Sequence, residues 1–593
     1  MTLRRRSSVP LALLVLACAI GPYLPALSNG FVQDDHVVVE TGAVVARGEL
    51  REIFATDYWG ALKGNDQSLY RPVTILSWAL ERRISATPNP QLAHAVNVAL
   101  HAAVALLLFG LARRTASAPE AAAAAALFAV HPVHTEAVAS IVGRADVLAC
   151  LFTLAALHIH ASRGAGAARD WIRSLATAVC VFLAAGSKEA GIAAPFLLVA
   201  YDLLFRRQGY ASGTAWIIDR ATAWAPSAAA AGAYLFLRTL ALGALTKVQE
   251  LPSTDNRLVL LAGQERFATA VGLAARYVRL FLFPFGLSAD RSGGVIPPEA
   301  GCFTPRALAG FAILLGALAL ALLPAMRAAR RQNHSGPFLS NDISRAAFAA
   351  LGFLLPYLVV GNLLVLIRAT VAERLLYLPS VGLCLLAGLA AGRLGTRANY
   401  VYAAYALVLV LFAALTFRQS RLWRNEETLF SAALRSSPAS PRAAFILGKV
   451  RAEQGRHAEA LALFERAHNA WPDFVGAWVD AATELTRAGK PADAEARLRE
   501  AIARQPDYGG AHHNLGVLLR AGGRRADAER SLRKATLYDP ALHRAWAELG
   551  HLYFDAGRWR AAAAAYEHAV GLGRNDLLPR LREARERARS IQS

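Results

Sequence analysis

The sequence predicts an all-α protein in two parts, a polytopic membrane domain of about 11 helices followed by a C-terminal α-solenoid. Three observations carry this. The 593-residue chain is 55% hydrophobic with a mean hydropathy of +0.32, and its apolar residues lie in long runs that stop near residue 421. Its basic residues sit mostly beside those runs, as they do in cytoplasmic loops. Beyond the runs, Gly, Pro and Ala recur every 34 residues.

Taken in order, the apolar runs fall near 9–27, 92–112, 121–139, 145–162, 174–186, 190–205, 222–243, 307–326, 346–367, 374–392 and 400–417. Several are shorter than the roughly 20 residues a straight span needs, so polar neighbours complete them near the surface. The first run follows Arg4, Arg5 and Arg6. It resembles a signal peptide but lacks a small-residue cleavage site, and reads as a retained anchor. A twelfth stretch, 266–286, carries Arg266, Arg276 and Arg279 and suits the membrane interface better than its core.

With the N-terminus cytoplasmic, the basic clusters at Arg113–Arg114, 163–173, Arg206–Arg207, 327–345 and 393–397 all fall inside, as the positive-inside rule asks. The odd number of runs then places the repeats outside, which for a bacterial inner membrane means the periplasm. The formal charge of +21 is explained by these loops, so no nucleic-acid partner is expected. The five cysteines, at 18, 150, 180, 302 and 384, have no metal-ligand or paired spacing, and no disulfide framework follows.

The 34-residue period runs through Pro438, Pro472, Pro506 and Pro540, through Gly455, Gly489, Gly523 and Gly557, and through Ala460, Ala494, Ala528 and Ala562. This is the tetratricopeptide pattern: paired antiparallel helices in which small residues permit close contact and proline ends the second helix. The boundaries are 1–421 for the membrane domain, 422–440 for a junction with a degenerate repeat helix, and 441–593 for the array. Its repeats are 441–474, 475–508, 509–542 and 543–576. Such arrays present a surface for peptides or other proteins.

The same topology gathers the polar motifs on the external face. Asp34, Asp35, Tyr70 and Arg71 share the first external loop; His131, His134, Glu136, Arg144 and Asp146 the next; then come Lys188 and Glu189, and finally Arg368, Glu373 and Arg374. Ionisable residues at the ends of membrane helices mark candidate sites. Lys188, Arg144, Arg368 and Arg374 could bind the phosphate of a lipid-linked substrate, and Asp34 or Asp35 could act as general base on an acceptor hydroxyl.

Each feature has a plainer alternative. The Asp pair could be a solvated turn or helix cap. Lys188–Glu189 and Glu373–Arg374 could be ion pairs pinning helix ends. His131, His134 and Glu136 have a spacing that could hold a divalent metal, with no recognised further ligand; no cofactor is certain. His94, Asn97 and His101, spaced along one helix, suit interhelical hydrogen bonding.

FVQDDHVVVE, DYWG, SLYRPVTILSW, HAVNVALH, HPVHTEAVASIVGRADVLACLF, GSKEAGI, LFLFPFGLSAD and VAERLLYLPSVGLCLL occur in that order, followed by the repeats. The chain thereby resembles the transmembrane and tetratricopeptide-repeat O-mannosyltransferases and their bacterial relatives. The resemblance implies a GT-C type glycosyltransferase that takes a sugar from a polyprenyl phosphate on the non-cytoplasmic side. It implies an acidic residue of the first external loop as base, with Asp35 preferred over Asp34, and external cations on the donor phosphate. The acceptor would be a protein hydroxyl, a glycan or a lipid. Gln33 stands where an aromatic residue is expected in animal members, which leaves the sugar open. A non-catalytic membrane-anchored scaffold and a transporter are the rival readings. Eleven runs exceed what an anchor needs, and no row of ionisable residues lies at mid-membrane depth.

Overall fold

A computed structural model describes residues 8–60, 69–162, 167–206, 213–245, 251, 253–330, 341–394 and 398–590. Parts of the basic loops 163–173, 206–207, 327–345 and 393–397 lie outside the described residues. Among the described residues there is no strand, and the chain divides into two compact units, one of Met1–Ser292 with Ile296–Ser436, the other of Gly293–Val295 with Ser437–Ser593.

In the first unit every expected apolar run overlaps a helix. Among the described residues six helices have the length and composition to cross a membrane: Val9–Ser28, Pro90–Ala112, Arg144–Ala161, Pro305–Arg327, Asp342–Val360 and Ala403–Arg424. Ala118–Val130, Trp171–Ser187 and Ser380–Arg393 are apolar but shorter. The chain is a multi-pass membrane protein. Local chemistry sets the boundaries. Asn89 caps Pro90–Ala112 by accepting from the Leu92 amide at 3.0 Å, and Ser117 with Glu120 forms a capping box on Ala118–Val130, each satisfying amides that the first helical turn leaves without partners.

Two runs are longer in sequence than in helix. The run 121–139 stops being helical at Val130, because Pro132 opens a tight turn, Pro132–His134, before the short helix Thr135–Ala139. The run 346–367 leaves the helix at Val360; Asn362 takes φ +58° and its side chain binds the Ala369 carbonyl at 3.0 Å, closing a polar loop instead. Hydropathy is blind to both breaks because the residues beyond them, Val133 to Ala139 in one run and Leu363 to Ile367 in the other, are still mostly apolar. The stretch 266–286 is a 20-residue helix, Gly263–Leu282, with one face buried along Ala268, Val271, Ala274 and Tyr277. The helix Glu426–Ser436, expected as part of a degenerate repeat, groups with the membrane unit, where Leu429, Phe430 and Ala433 are buried.

The second unit is a solenoid of helix pairs, Pro441–Glu453 with His457–Ala470, Val475–Arg487 with Pro491–Arg504, Gly509–Ala521 with Arg525–Tyr538, and His543–Asp555 with Trp559–Gly571. Gly455, Gly489, Gly523 and Gly557 turn each pair with φ between +71° and +77°, a region that costs other residues energy. Ala460, Ala494, Ala528 and Ala562 are fully buried, so a larger side chain would force the helices apart. A further 34-residue staple was not apparent in the sequence: Trp478, His512 and Trp546 bind the carbonyls of Pro472, Pro506 and Pro540 at 2.8, 2.9 and 2.9 Å. A last helix, Leu578–Ser590, covers the end of the array, burying Leu581 and Ala584 against the cluster of Phe554 and Tyr566. End repeats need such a cover to hide their apolar face.

Candidate active site

The two aspartates are placed differently. Val32 to Asp35 forms a turn closed by the Asp35 amide on the Val32 carbonyl at 3.1 Å, and Gln33 adopts φ +54° within it. This uncommon conformation for a non-glycine residue sends the consecutive side chains apart. Asp35 is fully buried: one carboxylate oxygen accepts from the Val32 amide at 3.1 Å, the other from the Val142 amide at 2.9 Å. Burial raises its pKa to about 7 against those two hydrogen bonds. Asp34 is partly exposed. Asp35 therefore ties the first loop to the Ile141–Asp146 segment, while Asp34 keeps part of its surface exposed.

The segment reached by Asp35 turns at Gly143. A Cβ there would sit 2.4 Å from the Ala137 carbonyl oxygen and 2.7 Å from that of Glu136, so only glycine allows the close approach. The turn carries Arg144 inward rather than toward a phosphate. Its guanidinium is fully buried and bound to Glu81 at 2.5 Å, the Asn97 side chain at 2.7 Å and the Ala93 carbonyl at 2.8 Å. Two residues on, Asp146 pairs with Lys188 at 2.5 Å. Burial lowers the Lys188 pKa to about 8, with Asp146 opposing and Arg71 and Arg374 adding to the depression.

Next to Lys188, Glu189 accepts from Arg71 at 2.9 Å and from Arg238 at 3.4 Å. Burial pushes Glu189 up, but the two guanidiniums prevail and bring it to about 2. Arg71 also lies over the Tyr58 ring, 5.4 Å from its centroid. Tyr70 is buried with its hydroxyl on the Phe54 carbonyl at 2.8 Å, a packing role. Arg374 meets Glu136 through both its amide, 3.0 Å, and its guanidinium, 3.5 Å, yet keeps 29% of its side chain exposed. Glu373 turns away to Arg291 at 2.9 Å and the Ser288 amide at 2.7 Å; burial raises it to about 7, against the Arg291 charge. Arg368 pairs with Asp255 at 2.9 Å and covers the Trp59 ring.

These groups share one electrostatic neighbourhood. Arg374 lies in the field of Glu136, Asp146, Asp34 and Arg71, and Tyr58 in that of Arg71, Asp34, Arg374 and Asp35. The structure thus unites Asp34, Arg71, Lys188 and Arg374, contributed by three polar segments of the chain, and leaves Arg144 and Tyr70 as supports. The metal alternative fails on geometry. His131 binds the Phe281 carbonyl at 2.8 Å and accepts from the Val133 amide at 3.2 Å. His134 binds the Phe128 carbonyl and the Ser380 hydroxyl, each at 2.8 Å. With both nitrogens of both rings engaged and Glu136 on Arg374, no metal-binding group forms among the described residues. His94 reaches the Gly30 carbonyl at 3.3 Å, Asn97 the Ser140 carbonyl at 2.9 Å and His101 the Tyr377 hydroxyl at 2.7 Å, all between segments.

Tyr58, Glu81, Arg238 and Arg291 were missed by sequence reasoning. Tyr58 lies in the DYWG motif, which was legible; the other three are revealed only by their partners, Arg238 from within the apolar run 222–243.

Profiles described as tetratricopeptide repeat match residues 413–473, 451–515, 485–549 and 543–576. Protein O-mannosyl-transferase F38B6.6 of Caenorhabditis elegans is 27% identical over 451 residues, covering 75% of this chain and 60% of that protein. Mouse protein O-mannosyl-transferase TMTC3 is 28% identical, covering 78% and 51%, and human protein O-mannosyl-transferase TMTC1 is 30% identical, covering 78% and 55%. The chain is thus similar, over about three quarters of its length, to proteins named protein O-mannosyl-transferase. The chain spans little more than half the length of these relatives.

Proposed function

We propose that the chain is a GT-C type glycosyltransferase that moves a sugar from a polyprenyl phosphate to a hydroxyl, that of a protein Ser or Thr, on the non-cytoplasmic face. The observation that supports this most is the placement of a partly exposed carboxylate, Asp34, in the field of Arg374 and Arg71, with Lys188 beside them. In this reading the acceptor oxygen attacks the anomeric carbon while Asp34 takes its proton. The bond from that carbon to the phosphate oxygen breaks, and its electron pair leaves on the polyprenyl phosphate. Arg71, Lys188 and Arg374 stabilise the charge that grows on the leaving phosphate, the kind of pre-aimed electrostatic help that dominates many transfers. Tyr58 and Asp35 hold the loop that presents the base.

The names of the relatives support mannose as the sugar and protein as the acceptor. The positive-inside distribution of the basic loops supports an N-terminus in the cytoplasm and repeats on the opposite face, which in a bacterial inner membrane is the periplasm. The repeats would hold the acceptor protein or a partner.

The test is incubation of the purified full-length chain with a panel of polyprenyl-phosphate sugars and Ser/Thr-containing acceptor proteins, followed by mass analysis. Transfer of a hexose from the lipid phosphate, with release of polyprenyl phosphate, is expected. Binding of acceptor without consumption of any donor would favour a scaffold.

A further inference from the structure

The helix Gly263–Leu282 and the loop that follows it carry a cationic cluster outside the transfer site. Arg276 is partly buried, and its Nε is shielded from solvent with no hydrogen-bond partner. Its charged neighbours are Arg291, Arg279 and Arg306. Arg291 and Arg306 are matched by Glu373 and Glu299, each at 2.9 Å, whereas among the described residues no carboxylate pairs with Arg276 or Arg279. A partly desolvated guanidinium surrounded by like charge is costly. Burial, with the fields of Arg291, Arg279 and Arg306, holds its pKa down to about 10.

What surrounds the cluster identifies the missing counter-charge. Arg276, Arg279 and Phe283 follow one another at helical spacings of three and four, which places them on one side of the helix. Leu282, Phe283 and Phe285 are each more than half exposed, directly beyond the arginines, as in elements that bury apolar tips beneath the headgroup layer while cations meet the phosphates. The helix is fixed in the protein through the Tyr277 hydroxyl, which accepts from the Ala372 amide at 3.2 Å, and through the Thr269 hydroxyl, which accepts from the Glu299 amide at 2.9 Å.

We infer that Arg276 and Arg279 form a binding site for the phosphate of an anionic membrane phospholipid, with Leu282, Phe283 and Phe285 seated among its acyl chains. Guanidinium suits a phosphodiester because its planar fork can bind two oxygens at once. The proposed site shares no residue with Asp34, Arg71, Lys188 and Arg374, so its test does not depend on the transferase reading.

The full-length chain in nanodiscs of phosphatidylcholine, titrated with phosphatidylglycerol and read by native mass spectrometry, should retain phosphatidylglycerol in preference to the neutral lipid. Arg276→Gln with Arg279→Gln should weaken that retention roughly tenfold, Arg276→Lys, which keeps the charge but loses the fork, should keep only part of it, and Arg585→Gln, in the last helix of the repeats, should leave it unchanged. Thermal unfolding of each variant separates loss of the site from loss of the fold. Equal retention by the folded double variant would overturn the site. Displacement of phosphatidylglycerol by an equimolar polyprenyl phosphate would assign the cluster to the donor lipid instead.

Discussion

Asp34 and Asp35 are chemically identical neighbours whose surroundings divide them. Asp35 accepts two backbone hydrogen bonds in a fully buried position, and an asparagine there could satisfy only one of those amides with its single carbonyl oxygen. Asp35→Asn should therefore destabilise the protein by about 1–3 kcal/mol, seen as a lower unfolding temperature in detergent. Arg144 is a second residue whose role changes once its partners are known. Arg144→Ala strands Glu81 and should cost about 3–5 kcal/mol, the usual penalty for breaking a buried pair, so folded, inserted protein should fall while donor affinity of the surviving fraction is unchanged. Sequence exposed the acidic pair and the cations as types, because ionisable residues among apolar runs stand out. It could not assign reach, since whether a carboxylate meets solvent or a backbone amide is decided by the turn at Gln33 and by Val142, more than 100 residues away.

At the scale of elements, the turn at Gly143 joins the Glu136 segment to the Arg144 helix with no room for a side chain. Gly143→Ala should cost about 1–3 kcal/mol of overpacking and displace Glu136, and with it Arg374, so that unfolding temperature and donor affinity fall together. Lys188 gives a pH signature. Its ammonium is charged below about 8 and neutral above, so donor KM should rise as pH passes 8, and Lys188→Arg should remove that limb from the profile. On stability the sign is opposite: holding a buried ammonium charged is a cost that fades as pH rises from about 8 toward the ordinary value of 10.5. Elements with strong periodicity, above all the repeats, were legible because a 34-residue period repeats the same packing four times. The ends of the runs 121–139 and 346–367 were not, because an apolar loop and an apolar helix have the same hydropathy.

Across the whole molecule, the two units differ in what their sequence discloses. The solenoid is written as a repeat in which each helix packs on its neighbours in sequence, whereas the membrane unit builds its site from segments as distant as Asp34 and Arg374, which only folding brings together. Removing the chain after Ser436, the end of the membrane unit, should change which acceptors are used more than it changes hydrolysis of the donor; product analysis with both arms checks this. The most direct measurement of the central claim is single-turnover sugar transfer from polyprenyl-phosphate mannose at matched donor occupancy, comparing the parent chain with Asp34→Asn and Asp35→Asn. The account predicts that Asp34→Asn loses about 10²- to 10⁴-fold in rate, as removal of a general base does, while donor binding persists. An Asp34→Asn chain that transfers at the parental rate, beside an equally folded Asp35→Asn chain that is inactive, would contradict it.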